Sequence, residues 1–222
     1  MKFDNALILG ENTVTNAKGK VDRVAKGGYV DALRTKNLSG NKIFISSLLC
    51  ESAAMDNCLD YCYERRPEII VCAGDDLYDA GVLEAKYHLS PVMYLHKIGL
   101  LNEKCSVVGG VCFDRDDADL MAMTGAKLIV CPTYSCGSGR GIPIVTSAMG
   151  KVPVKLATFD NSFNLCGDIL MEARTLYLGT CSAMRRSGAF TTAQLAAMAA
   201  IHFSVEKGER GGRTYTSVTE LD

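Results

Sequence analysis

The chain has 222 residues, 48% of them hydrophobic and 22% charged, with a formal charge of -1. That is the balance of a folded globular chain, and it lacks the basic excess expected of a protein that binds nucleic acid or an anionic membrane. The ten cysteines form no CxxC pair, and no basic-then-apolar leader opens MKFDNALILGEN, so a reduced cytoplasmic setting with free thiols is expected.

Short apolar runs rich in β-branched residues mark expected strands at 6–9, 43–49, 69–72, 107–112, 128–131 and 152–157. Amphipathic stretches lie between several of them. Segment 53–65 carries Met55, Leu59 and Tyr63 at helical spacing, 116–124 places Leu120, Met121 and Met123 on one side, and 191–205 is an Ala-rich helix candidate. Strands alternating with helices imply an α/β layered fold. No repeat or linker divides the chain, so it reads as one domain over 1–222, with 206–222 a polar C-terminal arm. No apolar run reaches the length of a membrane span.

Three residues carry candidate chemistry, in chain order. Glu51 follows the apolar run of KIFISSLLCES, at the kind of strand end where α/β proteins collect active-site groups. A carboxylate there serves as a general base or simply opens the next helix, where acids are favoured. Lys86, in EAKYHLSP, is either an oxyanion-stabilising ammonium facing a cleft or an ordinary exposed lysine. Cys112 ends the strand of SVVGGVCFD. A thiol at a strand-to-helix junction is a nucleophile candidate, with the backbone N–H of Phe113 aimed at a developing oxyanion, or it is a buried structural cysteine. The acids Asp114, Asp116, Asp117 and Asp119 oppose its thiolate, so a base is required.

Other features point less far. The loop from Cys136 to Gly141, CGSGRG, is glycine-rich without the lysine of a phosphate-binding loop, and reads as a loop near the site. Asp75 and Asp76 read as a solvated turn, with cation binding as the alternative. Cys58 and Cys62, and Cys131 and Cys136, have no histidine beside them, and His88, His96 and His202 are scattered. No metal site is expected.

Taken in the order Glu51, Lys86, Cys112, the chain resembles the nitrilase superfamily of carbon-nitrogen hydrolases. Lys86, His88 and Leu89 match its lysine segment, and Cys112-Phe113-Asp114 its nucleophile segment. Gly125-Ala126 and Pro132-Thr133 match the helix stop and strand end that follow. Cys50 stands where the family has the proline before its acid, and the spacings between the three residues are short. The resemblance implies an α-β-β-α sandwich of two stacked sheets flanked by helices. It implies hydrolysis of a small-molecule amide through a Cys112 acyl-enzyme, with Glu51 as base and Lys86 and the Phe113 N–H on the oxyanion. No cofactor is called for, and a homo-oligomer is expected. The alternatives are a catalytically lapsed nitrilase-like binding or assembly module and a cysteine-dependent acyl transferase.

Overall fold

The computed structural model describes residues 8–10, 13–15, 21–23, 30–33, 38–49, 52–143, 151–158, 163, 168–199, 203–210 and 213–220. Its main sheet has six parallel strands: β4 (Val30–Asp31), β5 (Lys42–Ile45), β6 (Glu68–Ala73), β7 (Cys105–Gly109), β8 (Lys127–Val130) and β9 (Val154–Leu156). Ile43 pairs with Ile69, Ile69 with Cys105, Val107 with Leu128, and Leu128 with Val154. Two small antiparallel sheets are separate from it. One is β1 (Ile8–Gly10), β2 (Thr13–Thr15) and β3 (Val21–Arg23). The other is β10 (Phe203–Arg210) with β11 (Arg213–Glu220).

Strand order across the main sheet equals order along the chain. Parallel crossovers are right-handed, so a sheet that only ever steps one way sends every connecting helix to the same face. That is the winding of a TIM-type barrel rather than of an open sheet with a switch point. The expected α-β-β-α sandwich of two stacked sheets is therefore not the fold.

The connections are α1 (Ser52–Arg65), α2 (Leu77–Tyr87) and α3 (Pro91–Lys97), then α4 (Arg115–Thr124) and α5 (Pro132–Gly137), and finally α6 (Ile169–Met184) and α7 (Thr192–Ala199). Of the helix expected over 191–205, the described residues show α7 over Thr192–Ala199, and Phe203 opens β10.

Period-two alternation sorts the strand side chains into two layers. Ile43, Ile45, Ile69, Val71, Val107, Leu128, Val130 and Leu156 join the main core with Leu83, Leu95, Met121 and Leu176 from the helices. Phe44, Ile70, Val108, Ile129, Cys131 and Ala157 form a smaller cluster on the other face, with Cys72 and Tyr134 packed on it. Burial on both faces explains why these strands read as continuous apolar runs.

Helix ends are locally encoded. Asp114 caps α4 and exchanges a capping box with Asp117, while Gly125 closes that helix at φ 73°. Ser90 caps α3 with Pro91 in its first turn. The Ser90 hydroxyl also donates to the buried Asp117 carboxylate, which ties α3 to α4. No helix among the described residues is long and apolar enough to cross a membrane.

Candidate functional site

In parallel β/α folds, ligands collect at the carboxyl ends of the strands. Asp75 lies there, in the turn between β6 and α2, with its side chain 16% exposed. It accepts a hydrogen bond from Ser135 Oγ at 2.6 Å and another from Arg140 Nη1 at 3.4 Å. The same guanidinium reaches Asp76 Oδ2 through Nε at 3.5 Å and lies over the Tyr134 ring, 4.9 Å from its centroid. Tyr134 in turn meets Phe163 edge to face at 6.0 Å. Burial alone would lower the Arg140 guanidinium, but Tyr134, Asp75 and Asp76 outweigh it and hold it above its ordinary value. Two loops and α5 are thus joined through one charge-assisted network.

A buried carboxylate supports that network from behind. Glu172 of α6 is fully buried and accepts from the Thr133 backbone N–H at 2.9 Å and from the Thr133 hydroxyl. Cys131, the residue before α5, makes no side-chain cap bond. Glu172 satisfies an N–H that a capping side chain would otherwise take, and so fixes the start of the helix carrying Tyr134 and Ser135.

Cys112 lies beyond β7, which ends at Gly109, in the turn leading to α4. Its backbone N–H donates to Gly74 O at 2.8 Å. Burial pushes its thiol up, and Asp75, Asp76 and Asp117 push it further. The N-terminus of α4 gives no compensation, because the Asp114 side chain already accepts there. Phe113 turns its ring over Gly74, where any added Cβ would lie 2.1 Å from it.

Lys86 occupies the last turn of α2, its Nζ 4.9 Å from the Tyr87 ring centroid. Helix rise places it about 14 Å along the axis from Leu77. Because α2 starts at the carboxyl edge of the sheet, Lys86 sits toward the opposite edge from Cys112. Glu51 lies outside the described residues, as does Cys50. The structure therefore does not bring Lys86 to Cys112.

Ser135, Thr133 and Glu172 carried no sequence signal of a site. Arg140 did, within a loop expected near the site, but its carboxylate partner Asp75 lies 65 residues back along the chain.

No protein-family model matches the chain. It is 28% identical over 145 residues to the 5-methylthioadenosine/S-adenosylhomocysteine deaminase of Pyrococcus abyssi, covering 63% of this chain and 34% of that protein. To the deaminase of the same name from Pyrococcus horikoshii it is 26% identical, over 53% of this chain and 29% of that one. The chain thus matches about a third of the length of these relatives. Among solved structures, an adenosine deaminase from Xanthomonas campestris with bound zinc superposes with a TM-score of 0.64 at 16% identity, over 71% of this chain and 36% of that one. The triazine hydrolase TrzN of Arthrobacter aurescens, complexed with zinc and atraton, gives a TM-score of 0.62 at 16% identity and the same coverage.

These relatives and this fold overturn the resemblance to the nitrilase superfamily. With it go the Cys112 acyl-enzyme and the thiol-dependent amidase. Zinc requires imidazole, thiolate or carboxylate donors converging on one point. His88 is an exposed C-cap on α2 and His96 is exposed on α3. Among the described residues, no group of three His, Cys, Asp or Glu side chains is arranged to hold a metal ion. Position 109, at the end of β7, carries no donor either. Gly109 has φ 148°, and a Cβ there would stand 2.1 Å from the Ala73 carbonyl oxygen. Asp75 is the best placed carboxylate, but a single carboxylate does not make a zinc site. The described residues do not fit zinc.

Proposed function

We propose that the chain shares the scaffold of the methylthioadenosine/S-adenosylhomocysteine deaminases and that its carboxyl strand edge binds a small nucleoside-like molecule. The observation that carries this reading is the Asp75–Ser135–Arg140 network at that edge. It supplies what such a ligand needs. Arg140 and Asp75 offer donors and acceptors for sugar hydroxyls or ring nitrogens, and Tyr134 and Phe163 supply aromatic surface. A homo-oligomer in a cytoplasmic setting goes with this reading.

The test is thermal stabilisation by 5′-methylthioadenosine. Wild-type protein should be stabilised in a saturable way, and Arg140→Ala should weaken the response at least tenfold. Equal responses in wild type and Arg140→Ala would defeat the assignment.

A second reading, deamination of such a nucleoside, is favoured by the shared name of the sequence relatives. It requires zinc donors from outside the described residues. Zinc-dependent release of ammonia from methylthioadenosine would decide for it.

A further inference from the structure

A separate cavity, of about 400 Å³, lies at the opposite edge of the sheet. That volume is within the roughly 300–1,000 Å³ of small-molecule sites. Pro67 precedes β6 and Lys104 precedes β7, so loops at the amino ends of these two strands build it. Buried Ile69 and Leu100 line it together with Pro67 and give an apolar floor. Exposed Tyr63, from the last turn of α1, gives an aromatic wall. That wall is fixed in place. The Tyr63 hydroxyl donates to Ile98 O at 2.8 Å. Its ring lies so close to Gly99, at φ 74°, that a Cβ there would stand 2.9 Å from the hydroxyl oxygen.

Arg66 and Lys104 bring charge to the rim. Lys104 Nζ donates to Arg66 O at 2.9 Å, which holds the ammonium beside Arg66 and leaves it two further N–H donors. Among the described residues, no carboxylate lies within ion-pair distance of the Arg66 guanidinium. Glu103 also lines the cavity, so two cations stand against one carboxylate, and a single negative charge balances the lining. The backbone does not call for arginine here. The Arg66 N–H donates to Cys62 O at 3.0 Å, closing α1, and its φ is 47°. Glycine suits such a helix stop better than any residue with a Cβ.

We propose that this cavity binds a small organic monoanion, an apolar or aromatic body bearing one carboxylate. The body lies on Pro67, Ile69 and Leu100 against the Tyr63 ring. The carboxylate accepts charge-assisted hydrogen bonds from Arg66 and Lys104. This site is distinct from the carboxyl-edge network of Asp75, Ser135 and Arg140 and does not depend on it.

The experiment titrates 3-phenylpropionate into the full chain and follows backbone amide shifts by two-dimensional NMR, beside 3-phenylpropionamide, which has the same shape without the charge. Saturable shifts are expected at the amides of Gly99, Asn102 and Lys104. The amide should bind about tenfold more weakly or worse, the loss of one charge-assisted bond. Arg66→Gly should melt no lower than wild type, because glycine fits that conformation, yet bind the acid about tenfold more weakly or worse. Stability retained with binding lost separates a ligand-holding arginine from a structural one. The comparison of acid with amide uses wild-type protein and stands whatever the variant does. No saturable shift at these amides, equal affinity for acid and amide, or undiminished binding in Arg66→Gly would overturn the proposal.

Discussion

Replacing Glu172 should be among the most costly single changes in the chain. Its side chain is fully buried and takes both donors of Thr133. Glu172→Ala leaves the Thr133 N–H and O–H buried without these acceptors. An unsatisfied buried donor costs about 1–3 kcal/mol, so two cost about 4 kcal/mol. That is a large part of the roughly 5–15 kcal/mol by which a domain is stable. Glu172→Gln keeps one carbonyl acceptor but turns an NH₂ toward the other donor, for about 2 kcal/mol. Thr133→Ala removes only the hydroxyl, so the two-residue cycle should show a coupling of about 1 kcal/mol or more. Urea unfolding followed by circular dichroism measures all of these. The same variants should weaken nucleoside binding, because Thr133 opens the helix that carries Tyr134 and Ser135. A Glu172→Ala protein within about 0.5 kcal/mol of wild type, the ordinary range of surface substitutions, would refute the role assigned to this carboxylate.

Burial raises the Asp117 carboxyl from its ordinary 3.8, against the bonds from Ser90 and Asp114. A raised folded-state value means that its stabilising contribution is complete below 3.8 and declines as pH rises through the folded value. The stability advantage of wild type over Asp117→Asn should therefore be largest in acid and shrink toward neutral pH, and an advantage that grew with pH would contradict this. Cys112 should alkylate with iodoacetamide more slowly at neutral pH than an unhindered thiol, and Asp75→Asn should speed it. A rate insensitive to Asp75 would show that the carboxylate does not act on the thiol. Gly109→Ala should cost more than about 3 kcal/mol, since a Cβ meets the Ala73 carbonyl at 2.1 Å and backbone strain adds to that clash. A folded Gly109→Ala protein of wild-type stability would mean that β6 and β7 do not end in this geometry.

Much of the local structure was legible. Strands β5 to β9 announce themselves as β-branched apolar runs because both faces of the sheet are buried. The helix at 116–124 carries its own stop at Gly125. The same legibility produced the error in family. A strand, an aspartate cap, a helix, a Gly stop and a strand followed by Pro-Thr are what any parallel β/α unit needs. Asp114, Gly125 and Pro132 match the nitrilase pattern for that generic reason. What the sequence could not show was spatial order. Whether consecutive strands lie side by side in one sheet or are shared between two depends on packing across the whole chain, and only the observed order decided it. Helices α2 and α3 were missed, which hid the fact that Lys86 is carried down a helix away from the carboxyl edge. The Asp75–Arg140 contact spans 65 residues, and local pattern has no access to such a pairing. It left Asp75 looking like a solvated turn.

Arg140 is proposed as the cation that holds a nucleoside-like molecule at the carboxyl strand edge. The most direct measurement is calorimetric titration of 5′-methylthioadenosine into the protein after exhaustive chelation, repeated with one equivalent of zinc. Saturable binding of unchanged affinity is expected in both. Binding that appears only with zinc, accompanied by ammonia release, would contradict it.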